Sequence, residues 1–278
     1  MKSRVVVQIV AGIKTTDGAG VNLRRIIGSP ELNLLDPFLL LDEFKSDDKD
    51  DYIAGFPSHP HRGFETVTYL MHGAFRHRDS KGNEGHLRSG SVQWMTAGRG
   101  IIHSEMPEQE DGQVWGYQLW VNLPQKYKMT EPRYQDIPAE KIPVVEENGR
   151  TVKIISGVYD GVEGPAESFI PINYFDVKLE ANASFRHPEP TNMNGFIYCY
   201  EGEVSVGPEE TKVPVGRLAV MGDGDTVELS AGEAGGAFLF LAGERLEEPI
   251  ARGGPFVMNT KGEVKQAFLD YQNGVLDK

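Results

Sequence analysis

Residues 55–61 read GFPSHPH and residues 98–105 read GRGIIHSE. Each stretch sets two metal-capable side chains two positions apart, His59 with His61 and His103 with Glu105. On a β-strand, positions i and i+2 point to the same face and start about 7 Å apart. Two such strands lying side by side in one barrel would aim three imidazoles and one carboxylate at a common point. That donor set suits iron, manganese, nickel, cobalt, copper or zinc, and on an octahedral ion it leaves up to two places open for chemistry. Spacing alone also admits Glu65, which follows the first histidine pair, as the carboxylate.

A single His-x-His on a strand is more often exposed, or satisfied in a core, than a ligand. Here both pairs adjoin glycine turns and β-rich apolar runs, GFETVTYLMHG (63–73) after the first and GSVQWMTAG (90–98) before the second. These surroundings resemble the paired cupin motifs. Gly55, His59, His61, Glu65 and Gly73 follow the first motif, and Gly90, Gly98 and His103 follow the second. More narrowly, DPFLLLDEF (36–44), HPHRGFETVTYL (59–70), VQWMTAGRGIIHSEMP (92–107), YQLWVNLP (117–124) and GPFVMNTKGEVKQAFLDYQNG (254–274) are similar to the pirin family over nearly the whole chain.

The resemblance implies an all-β bicupin, two tandem cupin-type antiparallel β-barrels, with one mononuclear and usually iron centre on His59, His61, His103 and Glu105. In the wider cupin pattern the carboxylate ligand would be Glu65. Pirins take it from the strand of the last histidine, so the resemblance implies Glu105 and leaves Glu65 a supporting role.

The organisation of the chain agrees with two barrels. ETVTYLMHG is followed by Gly90 and SVQWMTAG; in the second half GFIYCYEG (195–202) is followed by Gly216 and RLAVMGDG (217–224). Both read strand, turn, strand, glycine turn, strand, a pattern of closed antiparallel barrels. The expected boundaries are a metal-carrying barrel at 1–125, a linker at 126–143 with Lys126, Lys128, Glu131, Pro132 and Pro138, and a second barrel at 144–278. Only the tail from Thr260 to Asn273, with Val264, Phe268 and Tyr271 near helical spacing, reads as a helix. Where the first half has its histidines, the second has His187-Pro188-Glu189-Pro190 and Thr226-Val227-Glu228, so one metal per chain is expected.

The 278 residues suffice for two domains. A net charge of −13 disfavours direct binding to nucleic acid, which wants a basic face. No apolar run is long enough to span a bilayer, and the start lacks the long apolar core of a signal peptide, which points to a cytoplasmic protein. Cys199 reads as a buried strand residue. The acidic run 46–51 reads as a solvated loop, and His72, His77 and His86 read as exposed residues of a charged hairpin. Arg62 and Arg99 read as ion-pair partners, and Trp94 and Met95 as core residues or pocket walls.

Three functions fit. The resemblance to quercetin-cleaving cupins implies a flavonol (quercetin) 2,3-dioxygenase acting on a flavonol or catechol with dioxygen, with iron(II) as cofactor and Glu105 as the catalytic base. It equally implies a regulator whose iron state is read by a protein partner, such as a transcription factor or metabolic enzyme. A metal-assisted isomerase is the third, since the fold serves many chemistries.

Overall fold

The computed structural model describes residues 2–109 and 112–278. They divide into two compact units, Ile13–Ala139 with Leu246–Lys278, and Met1–Gly12 with Glu140–Arg245. Among the described residues no helix is long and apolar enough to cross a membrane.

The unit carrying the histidine pairs is built from two antiparallel sheets. The larger runs Arg133–Ile137, Val92–Thr96, Phe64–His72, Val114–Asn122, Phe38–Ser46, Val21–Ile27, Ile13–Asp17; the smaller runs Phe56–His61, Ile101–Pro107, Ala74–Asp79, Glu84–Arg88. The central strand Phe64–His72 is buried at seven consecutive positions, which is why its sequence lacks a clean polar alternation. Phe44, Leu70 and Val114 of the larger sheet pack with Phe75 and Leu87 of the smaller one. This contact closes the sheets on each other and leaves their inner faces to form the site.

The other unit is a nine-stranded antiparallel sheet around Phe175, Phe185, Ile197, Phe238 and Phe240. Its long strands Met193–Val206 and Thr226–Glu244 shift register between Cys199 and Glu201 and again between Gly202 and Val204. Such bulges bend a strand and let one sheet curl. Cys199 is buried as expected, and burial pushes its thiol up to about 11.

The fold is thus two antiparallel cupin units with one short helix, but the expected boundaries are corrected at three places. The N-terminal strand Val6–Val10 belongs with the second unit, where it pairs with the edge of Arg217–Met221. An edge strand exposes unpaired N–H and C=O groups, and the chain start covers it. Conversely the tail belongs with the first unit. The helix Lys261–Gln272 starts at a capping box in which the Thr260 hydroxyl accepts from Glu263 N–H and the Glu263 carboxylate accepts from Thr260 N–H. Ala267 and Leu276 then pack with Phe256 against Ile102, and Arg62 pairs with Asp270 at 2.6 Å.

The linker reading fails as well. Arg133–Ile137 is a strand hydrogen-bonded to Val92–Thr96, and Lys128, read as linker surface, is 1% exposed. Its ammonium donates to Gly63 O (2.8 Å), Val257 O (2.9 Å) and Asn122 Oδ1 (2.7 Å). Burial lowers its pKa to about 8. The tie binds the tail to the start of the central strand. Gly63, at φ +90°, makes the approach possible, because a Cβ there would lie 2.0 Å from Val257 O.

Lys128→Met keeps an unbranched stem of nearly the same length and leaves three buried oxygens without their donor. Loss of about 3 kcal/mol of stability is expected, read as an earlier midpoint in denaturant unfolding. An unchanged midpoint would mean the tie contributes nothing.

Candidate metal centre

The strands Phe56–His61 and Ile101–Pro107 pair antiparallel with His59 opposite His103 and His61 opposite Ile101. The period of two puts His59 and His61 on one face, and the register brings His103 to it. One ring nitrogen from each of His59, His61 and His103 lies within 4.8 Å of the others, with ring centroids 4.4, 4.7 and 5.0 Å apart. Among the described residues this is the sole cluster of its kind.

Its electrostatics suit a cation. Burial pushes His61 and His103 well below the ordinary imidazole range, and the neighbouring histidines push the same way. Both rings are therefore neutral at pH 7 and keep their lone pairs. His103 is 1% exposed, yet neither of its nitrogens has a hydrogen-bond partner, and His61 Nδ1 has none either. Buried polar atoms without partners are rare and costly, and a metal ion among the rings would satisfy one nitrogen of each. His59 Nδ1 sits 2.7 Å from the Pro57 carbonyl, an arrangement in which Nδ1–H donates and Nε2 keeps its lone pair.

The carboxylates are placed differently from each other. Glu105 lines the same cavity as His59 and His61, but its carboxylate does not join the three nitrogens. Oε1 accepts from the Thr68 hydroxyl (2.9 Å), and Oε2 accepts from Gln118 Nε2 (3.4 Å). Thr68 and Gln118 are themselves cross-strand partners on the central strands. Glu65 is fully buried and accepts from the Thr96 hydroxyl at 2.7 Å, within the larger sheet and outside the cavity lining.

The cavity holds about 570 Å³, within the range of small-molecule sites. Leu23, Leu40, Phe44, Phe56 and Trp120 give it apolar walls, while Asp17, Arg25, Asp42 and Arg252 stand among its polar lining. Arg25 is clamped by Asp42 (Nε–Oδ1 2.9 Å, Nη2–Oδ2 2.7 Å) and by Asp17 (2.6 Å). Burial raises Asp42 to about 6 even against the Arg25 guanidinium.

Other readings divide. Arg62 and Arg99 are ion-paired, with Asp270 and with Glu131 at 3.0 Å. Trp94 and Met95 are core residues and line no part of the cavity. The acidic run stays outside it too. His72 is exposed, and His86 is exposed and paired with Glu108. His77 is a correction: it is buried opposite Glu105, stacked on Tyr134 at 5.2 Å with Nε2 3.4 Å from Asp136. Gly85 makes room, since a Cβ there would lie 2.0 Å from His77 Nε2.

In the second unit His187 sits among the rings of Tyr159, Phe175, Phe185 and Phe240, and burial lowers it to about 4. Glu189, two positions on, lies near it, joined through Asn173, which the sequence did not single out. Glu189, 1% exposed and raised to about 7 by burial, accepts from Asn173 Nδ2 at 2.9 Å, and Asn173 Nδ2 lies 3.3 Å from His187 Nε2. Glu228 is taken by Arg186 at 3.0 Å.

Thr68, Gln118, Trp120, Arg25, Asp42 and Arg252 were not singled out from sequence as site residues. A threonine and a glutamine inside the buried runs FETVTYLMH and VWGYQLWVN carry a signal, because polar side chains there need a partner. Arg252, nearly 150 residues beyond His103, carries none.

Comparison with known proteins agrees with this architecture. The Pirin family model matches residues 20–121 and the Pirin C-terminal cupin domain model matches residues 174–277. A pirin-like protein of Caulobacter vibrioides is 47% identical over 99% of both chains. A Pseudomonas aeruginosa protein named provisionally as a quercetin 2,3-dioxygenase is 45% identical over 98% of both. The crystal structure of a quercetin 2,3-dioxygenase from Acinetobacter baumannii superposes with a TM-score of 0.90 at 34% identity, covering 99% of this chain and 98% of that one. The chain belongs to the pirin family.

Proposed function

We propose that this chain holds one mononuclear metal ion, iron(II) in its working form, on His59, His61, His103 and Glu105, and that it is a dioxygenase for flavonol-type or catechol substrates. The observation that carries the reading is the set of three clustered imidazoles, two of them held neutral by burial, beside a cavity of small-molecule size. The likeness to proteins named for quercetin 2,3-dioxygenase activity supports the substrate class. A bound redox-active ion supplies the place where a chelating enol or catechol and dioxygen react.

The chain's own residues supply the rest. The apolar walls hold a planar ring system and exclude water from it. Glu105 is the acceptor for the proton of a substrate hydroxyl. Thr68 and Gln118 hold its two oxygens, so it meets that hydroxyl in a fixed orientation.

Replacing His59, His61 or His103 by Ala strips most of the metal, because a four-ligand site that loses an imidazole loses much of its affinity. Glu105→Ala does so more than Glu65→Ala, which instead costs stability. Elemental analysis giving the opposite order for the two glutamates would make Glu65 the ligand.

His187→Ala leaves metal content at one per chain and lowers the unfolding midpoint, since it empties a space among four rings. Two metals per chain, one lost with His187, would refute the single site.

With iron loaded under argon, a flavonol shifts the protein's absorption spectrum, and admitted oxygen then consumes substrate over many turnovers. Glu105→Gln keeps the shape and removes the base, so turnover falls more than flavonol binding. Iron-replete protein that neither binds nor oxidises any flavonol or catechol, yet captures a protein partner in one iron state alone, would replace the enzyme by a regulator.

A further inference from the structure

Two cations line the cavity, and they are in opposite situations. Arg25 is spent. Both oxygens of Asp42 and one of Asp17 accept from it, and the other oxygen of Asp17 accepts from Gly18 N–H at 2.7 Å. Arg252 is not. Among the described residues its guanidinium has no carboxylate partner; its one hydrogen bond runs from Nη1 to the Leu39 carbonyl at 3.2 Å. The guanidinium lies over the Trp120 ring, 4.8 Å from its centroid.

Trp120 also meets the histidines, with its ring 5.3 Å from that of His61. A planar ligand reaching out from the imidazoles along Trp120 therefore arrives at a cation with N–H donors to spare. The surplus negative charge of the Arg25 clamp rests on Asp17, whose side chain is 52% exposed and screened by water. Asp42 and Asp17 act on Arg252 through space alone, with no ion pair to it among the described residues, so its donors stay available.

Arg252 is also held in place. It lies on the hairpin of Ala251–Gly253 and Phe256–Met258, whose Val257 packs with Leu39 and Phe64 while its carbonyl accepts from Lys128. The fork of a guanidinium stacked on an indole is preorganised for a planar carboxylate or another oxyanion.

Resting on the dioxygenase reading, we propose that Arg252 is an anion anchor, and that the preferred substrates are catechol- or enol-type rings bearing a carboxylate or similar anionic group at the end away from the metal. Caffeate and its methyl ester, titrated calorimetrically into the iron(II)-loaded full-length protein under argon, are the test. Caffeate is expected to bind roughly tenfold tighter than the ester. Arg252→Gln should bring that ratio near one by weakening caffeate far more than the ester, while Arg252→Lys, which keeps the charge, retains part of it.

Equal affinities in the unsubstituted protein, or a preference that survives Arg252→Gln, would overturn the anchor; oxidation of the ester on admitting air would then leave the dioxygenase reading standing. Arg252-dependent caffeate binding with no oxygen uptake would keep the anchor and remove the dioxygenase. Absence of binding by either compound would overturn both.

Discussion

The packing of three imidazoles against one another, with both nitrogens of His103 and Nδ1 of His61 lacking a protein hydrogen-bond partner, is the constraint to which the rest of the first unit answers. His103 has both ring nitrogens unpartnered while 1% exposed, a cost that a purely structural core would have removed by an apolar residue. The arrangement depends on register. His59 stands opposite His103 across one antiparallel pair, and a slip of one residue would turn His103 to the other face. On its other side the same strand is paired with Ala74–Asp79 over five residues, which fixes its position.

Around that cluster the polar groups are graded by how much freedom they keep. Glu65 is locked within the larger sheet by Thr96. Glu105 is held by two side-chain donors at the cavity wall. Arg252 keeps most of its donors uncommitted at the mouth. The tail supplies the outermost member, and Lys128 ties it to the central strand through Val257 and Gly63.

The parts legible in the sequence were those governed by local periodicity. Alternation paired His59 with His61 and His103 with Glu105, glycine turns marked the strands, and Val264, Phe268 and Tyr271 at helical spacing marked the helix. What was illegible depended on distant partners. Nothing in Val6–Val10 says that its edge is Arg217–Met221, more than two hundred residues on. His77, set between Arg76 and Arg78, reads as surface, yet the strand turns it inward under Gly85 onto Tyr134. Lys128 looked like linker because a lysine gives no sign of the three oxygens that surround it. Arg252 belongs to the same class, a site residue delivered by the return of the tail.

A metal ion held by these three imidazoles would be seen by anomalous diffraction from crystals of the protein grown with iron, recorded on both sides of the iron absorption edge. One strong difference peak per chain is expected, bonded by His59, His61 and His103 and with a Glu105 oxygen as the fourth protein ligand. No peak among those rings, or a peak beside His187 and Glu189 in its place, would contradict that expectation.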